Sequence, residues 1–163
     1  DNGEGGVESG QTVVLQPTTG NVTEVERLKI IRESYRANVV ALLDAGKTVI
    51  LIGNIPEVGW HAPQRLAKRR ILNVDRLEPL STSFEVFKAR NTSSADVWNL
   101  LPENPRLAIV EPHTLFCGTV LPTRCVAQWN GDPIYSDDDH VNSIGSGLIV
   151  NLVAKQLERL LIF

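Results

Sequence analysis

The sequence contains no methionine, only two cysteines, no long run of basic residues and no uninterrupted apolar stretch of bilayer-crossing length. Each absence removes a class of function. Without about 20 consecutive apolar residues no transmembrane helix is expected, and the N-terminus has no signal-peptide pattern. Charge is mixed, with a net value of −3, so nucleic acid is not an expected partner. Two cysteines are too few for a disulfide-built scaffold. Cys117 and Cys125 are also spaced too widely for a zinc knuckle, with no second Cys/His pair of suitable spacing. They form either a disulfide around a short loop, worth roughly 2.5 kcal/mol on the chain-entropy model, or two unrelated buried thiols. The lack of methionine and the polar opening Asp1-Asn2-Gly3-Glu4-Gly5-Gly6 lead us to expect a cut edge or flexible linker over residues 1–10. Residues 11–163 are then expected to form one domain.

What is present is a chain of 163 residues, long enough to bury a core of its own. Residues 12–15 (Thr-Val-Val-Leu) form a short apolar run that suits a buried strand. Thr23 and Glu26 have capping-box spacing and open a long helix. Its expected buried stripe is Val25, Leu28, Ile31, Tyr35, Val39 and Leu42. Gly46 stops that helix, and residues 48–52 follow as a nearly continuous hydrophobic strand of the parallel, doubly covered kind. A loop over 53–63 leads to a basic segment, 65–70, expected as a solvated helix face. Residues 81–101 should hold one or two helices, and residues 107–110 a further strand. Asn130-Gly131 marks a tight hairpin turn. Asn142 caps a final helix to about residue 161, with Ile149, Leu152, Val153, Leu157 and Leu160 facing inward. Strands alternate with helices, which gives an α/β class with a mostly parallel sheet.

The chemistry concentrates in one stretch, Asp132-Pro133-Ile134-Tyr135-Ser136-Asp137-Asp138-Asp139-His140 and on to Gly145. Asp137 and His140 stand three residues apart where a loop enters the last helix. A carboxylate so placed accepts the Nδ1 proton of the ring, fixes its tautomer and leaves Nε2 to take a proton from a nucleophile. Loops beyond the carboxyl ends of strands are where α/β folds gather functional groups. Asp138 and Asp139 complete an acidic cluster that lacks the spacing of a calcium loop and reads as solvated. His61 and His113 read as surface histidines, and Trp98 and Trp129 as packing residues.

This stretch, with Tyr135, Gly145 and the cysteine pair upstream, resembles the C-terminal part of the SGNH-hydrolase domains fused to acyltransferase-3-type membrane acyltransferases. The segment Ala45-Gly46-Lys47-Thr48-Val49-Ile50-Leu51-Ile52-Gly53-Asn54-Ile55-Pro56-Glu57 is similar to the middle strand of that group. The likeness spans roughly residues 11–160. It implies a three-layer, flavodoxin-like fold with helices flanking a mostly parallel sheet. It also implies a Cys117–Cys125 disulfide in an oxidising compartment, and serine-dependent transfer or hydrolysis of an O-acyl group, acetyl above all, on a cell-envelope glycan. Asp137 matches the triad carboxylate and His140 the general base, with no cofactor or metal required. The expected partner is a membrane acyltransferase domain of the same longer polypeptide, and the expected location is periplasmic or extracytoplasmic, tethered to the inner membrane.

The nucleophile is the gap. The family places its serine in a Gly-Asp-Ser motif after the first strand, and no such motif occurs here; Gly131-Asp132 runs into proline. The Gly-x-Asn block is likewise unrecognisable, with Gly20-Asn21 and Gly53-Asn54 as remote candidates only. The domain is therefore expected to be incomplete at its N-terminus and inert alone. Two rival readings remain: a non-catalytic α/β module that binds carbohydrate or a partner, and a metal-dependent hydrolase built on His140 and the aspartates.

Overall fold

A computed structural model describes residues 15–18, 20, 22–74 and 78–161. Helix α1 (Glu24–Asp44) starts at the expected capping box. The Glu26 carboxylate accepts from the Thr23 backbone N–H at 2.9 Å, and Thr23 Oγ1 accepts from Glu26 N at 3.3 Å. The chain leaves α1 through Gly46, whose φ of 77° lies in the left-handed region that glycine enters without a Cβ penalty. Strand β1 (Val49–Ile52) follows, then α2 (Ala62–Ile71), β2 (Ser81–Ser83), α3 (Phe84–Trp98) and β3 (Leu107–Val110). The last third comprises a short α4 (His113–Phe116), β4 (Arg124–Val126), the small strands β5 (Gln128–Trp129) and β6 (Asp132–Pro133), and α5 (Ser143–Leu161).

The class is α/β, with one parallel pair among the described residues. β1 and β3 run side by side in the register Val49↔Leu107 to Ile52↔Val110, and α5 packs across both. The other two pairs, β2 with β4 and β5 with β6, are antiparallel. Asn130 and Gly131 both take positive φ (49° and 88°), which matches the twist a two-residue hairpin needs. Strand β2 is an addition: the segment 81–101 opens with three strand residues before its helix. Residues 12–14 of the expected first strand lie outside the described residues, and Leu15 is not in a strand.

Packing corrects two helix faces. On α1 the buried residues are Val39 and Leu43, while Val25 is 78 % exposed and Tyr35 and Leu42 are exposed as well. The face turned inward at the C-terminal end is set by Val49 of β1, which forms one apolar cluster with Val39 and Leu43. On α5, Leu157 is exposed, whereas Ile149, Leu152, Val153 and Leu160 are half-buried. Trp98 meets Tyr35 edge-on, and Trp129 stands exposed on the small hairpin. The basic segment lies on α2, where Arg65 stacks over Trp60 and Arg70 pairs with Asp132.

The largest core cluster does not lie under the parallel pair. It joins Val58, Ala62, Leu66, Leu80, Phe116, Val126, Ala127, Ile134 and Tyr135, next to the Asp137–His140 segment. Beside it, Phe87 packs with Cys117 and Cys125. The two cysteines are bonded to each other, tying the end of α4 to β4. Reduction is expected to lower stability by about 2.5 kcal/mol, read as a shift in the urea midpoint, and to leave the separate α1–β1 cluster intact. Mass spectrometry of unreduced, unfolded, alkylated protein should find no free thiol; two alkylated cysteines would contradict the bond.

Candidate active site

Two ties close the loop 136–140 at its base. Tyr135 and Val141 form an isolated antiparallel bridge, and Ser136 N donates to His140 O at 2.7 Å. Tyr135 is fully buried, and its hydroxyl donates to the Pro56 carbonyl at 2.6 Å. Burial pushes its phenol well above the ordinary tyrosine range, so it stays protonated as a fixed donor. The loop's outer carbonyls are held as well: Asp138 O accepts from Val58 N at 2.9 Å and Asp137 O from Ala62 N at 3.0 Å. The segment after β1 and the first turn of α2 thus form the seat on which the loop rests.

After the loop, Asn142 spends its whole side chain on structure. Its Oδ1 accepts from Ile144 N (2.9 Å) and Gly145 N (3.1 Å), satisfying the open end of α5. Its Nδ2 donates to Pro133 O at 2.7 Å. Gly145 comes so close to the segment after β6 that a Cβ there would stand 2.5 Å from the Ile134 carbonyl oxygen.

Within this frame Asp137 turns back on the loop. Its Oδ1 accepts from His140 N at 2.8 Å and from Asp139 N at 3.1 Å, and the His140 ring presents Nδ1 to Oδ2 at 3.1 Å. These backbone N–H groups, His140's foremost, hold the Asp137 carboxyl down at about 2. His140 is shifted the other way. Its hydrogen bond to Asp137 keeps the ring protonated to higher pH than an ordinary histidine, and the charges of Asp137 and Asp139 add to this. The side chain is 76 % exposed. With Nδ1 occupied by carboxylate, the second ring nitrogen is the one left for proton transfer.

Asp139 was expected to be a solvated bystander, yet its Oδ1 lies 2.7 Å from His140 Nδ1. Partial burial raises its carboxyl pKa. Asp139 is the nearer group, but Asp137 both hydrogen-bonds Nδ1 and is locked by backbone donors, an arrangement able to orient the ring. Asp137, Asp139 and His140 also offer three ligand atoms within 4.8 Å of one another, the spacing a cation would need. Such groupings are common on acidic loops without any ion.

The remaining candidates fall elsewhere. His61 is the N-cap of α2, and His113 lies against the rings of Phe84 and Phe87. Asn54, after β1, donates to Asn91 and Ser94, while Asn21 is outside the described residues. Among the described residues no serine is hydrogen-bonded to the His140 ring. Sequence reasoning missed the Asp139 contact and the seat provided by Pro56, Val58 and Ala62. Adjacent aspartates hinted at the first; the second is a contact between distant segments with no local signal.

A family model described as an SGNH domain (fused to AT3 domains) matches residues 5–155. The chain belongs to this SGNH family. No curated protein and no solved structure matches it. Membership supports a role in acyltransferase-associated acyl transfer or hydrolysis, the family being described by its fusion to AT3 domains. No helix among the described residues is long and apolar enough to cross a membrane.

The pair in this SGNH domain sets a pH signature. A raised His140 pKa contributes stability that is fully present below the ordinary histidine range and is lost as pH rises through the folded-state value. The lowered Asp137 pKa contributes above the ordinary carboxylate range and is lost as pH falls towards about 2. Both contributions coexist at mildly acidic pH, and solvent access keeps them small. An NMR titration of the His140 ring should give a midpoint above that of a free histidine, and Asp137→Asn should bring it down. A midpoint at or below the free value in the unsubstituted chain would contradict the pairing.

Proposed function

We propose that His140 is the general base and Asp137 its orienting carboxylate in an SGNH domain that moves an O-acyl group, acetyl in the first instance, to or from a cell-envelope glycan. The observation that carries this reading is the Asp137 carboxylate held on Nδ1 of an exposed His140 ring. In a serine-dependent mechanism His140 takes the hydroxyl proton as oxygen attacks the acyl carbon, and returns it to the departing oxygen. Asp137 steadies the imidazolium between those steps. The nucleophile is expected outside residues 1–163, and residues 11–163 form one three-layer, flavodoxin-like domain behind a flexible linker or cut edge at 1–10. Exposed Ile52 at the end of β1 and the single parallel strand pair among the described residues support a sheet with further strands. The AT3 association supports an extracytoplasmic position, tethered to the inner membrane by the acyltransferase domain of the same polypeptide.

The test compares acetyl-ester hydrolysis by the 163-residue chain with that of a chain extended by its native upstream sequence. The short chain should be close to inert and the extension should restore turnover. An active short chain would place the nucleophile within residues 1–163 and end the reading of an incomplete domain.

A further inference from the structure

We propose that the cleft between the carboxyl ends of β1 and β3 and the facing side of α3 is a subsite for an uncharged pyranose ring. This deepens the proposed function, since it names where the sugar bearing the acyl group would rest, and so it depends on that reading for its role. The cleft is a cavity of about 230 Å3 whose lining includes Asn54 after β1, Glu111 after β3, and Asn91, Ser94 and Trp98 on α3. Carboxyl ends of neighbouring strands are where α/β folds place ligands.

The polar groups are already oriented. Asn91 Nδ2 is anchored on the Phe87 carbonyl at 2.8 Å, which turns its Oδ1 towards Asn54. The Asn54 amide nitrogen donates to that oxygen and reaches Ser94 Oγ at 3.5 Å. This leaves the Asn54 carbonyl oxygen as an acceptor and the Ser94 hydroxyl as a donor. Hydroxyl groups on a sugar ring offer both functions at once. Trp98, Phe84 and Phe87 supply the apolar wall on which the C–H face of such a ring packs. Of the lining residues, Lys88 and Glu111 are of opposite sign and His113 is the remaining titratable group, so the cleft has no fixed net charge that would favour an anion.

Position ties the cleft to the candidate catalytic pair. The segment following β1 carries Asn54 into the cleft, and two residues later Pro56 accepts the Tyr135 hydroxyl beneath the His140 loop. A larger cavity of about 500 Å3 between α1 and α3 shares Asn54, Ser94 and Trp98 with the cleft.

The experiment is an NMR titration of the full 163-residue chain with uncharged gluco- and N-acetylglucosamine-type trisaccharides, and with trigalacturonate as an anionic comparison. At least one uncharged probe should shift the side-chain amides of Asn54 and Asn91 and the Trp98 indole, saturably, and more strongly than trigalacturonate does. The double substitution Asn54→Ala/Ser94→Ala should weaken binding at least tenfold, with the rest of the spectrum reporting that the fold is kept. Silence of those three side chains with every uncharged probe, or a response to trigalacturonate alone, overturns the subsite. The His140 titration is read in the same spectra. A cleft that binds while His140 titrates as a free histidine keeps the subsite and removes its catalytic role; the reverse pattern removes the subsite alone.

Discussion

Replacing His140 with alanine in the chain that carries the upstream segment should reduce ester turnover by about ten-thousandfold or more, because triad members act as a unit. The loss should fall on kcat, since the ring acts on a proton in flight and contributes little to holding the ester. Asp137→Asn should cost on the order of a hundredfold to ten-thousandfold. The amide keeps the shape but no longer accepts from Nδ1 with a full charge, and it loses part of its hold on the His140 and Asp139 backbone. Asp139→Asn separates the two carboxylates near the ring. Asp139 stands 2.7 Å from Nδ1 but is not fixed by backbone donors in the way Asp137 is. Its loss should lower the ring's pKa while leaving most of the turnover. Steady-state kinetics on a simple acetyl ester decide the matter, and full activity without His140 would end the catalytic reading.

The second large effect is expected from packing rather than from proton transfer. Gly145→Ala puts a methyl group 2.5 Å from the Ile134 carbonyl oxygen and 3.0 Å from the Val141 Cβ. Neither neighbour is the free end of a flexible side chain. The Ile134 carbonyl also accepts from Asn142 N at 3.0 Å, so moving it strains the start of α5. A cost of about 1–3 kcal/mol follows from overpacking of this kind. Val141 is the residue after His140, so the relief of strain also displaces the ring and lowers activity. Gly147→Ala is the internal control. It lies in the same helix with nothing within 4 Å of a Cβ, and alanine there should be neutral or stabilising by about 0.5–1 kcal/mol. Chemical denaturation of the two variants separates the cases, and a Gly145→Ala protein as stable as the parent would show that the Ile134–Val141 pair can spread.

Features that depend on neighbours along the chain were legible in the residues alone. Thr23 with Glu26 opens α1, Gly46 closes it, Asn130-Gly131 turns the small hairpin and Asn142 caps α5, each through contacts within a few residues. Asp137 and His140 belong to the same group, since three residues of loop suffice to bring carboxylate to imidazole. The apolar runs of β1 and β3 likewise pointed to strands of a parallel sheet, and their pairing came with the structure. Tertiary structure decided what periodicity leaves open. Leu43, and not Leu42, is buried because the position of Val49 selects which side of α1 turns inward. Ile52 ends exposed although its strand reads as uniformly apolar. The seat of the Asp137–His140 loop, from Pro56, Val58 and Ala62 to residues 135–138, joins segments almost eighty positions apart, as the Tyr135–Pro56 separation of 79 shows. No local pattern encodes such a contact, because it is selected by the packing of Tyr135 and Ile134 into one shared core.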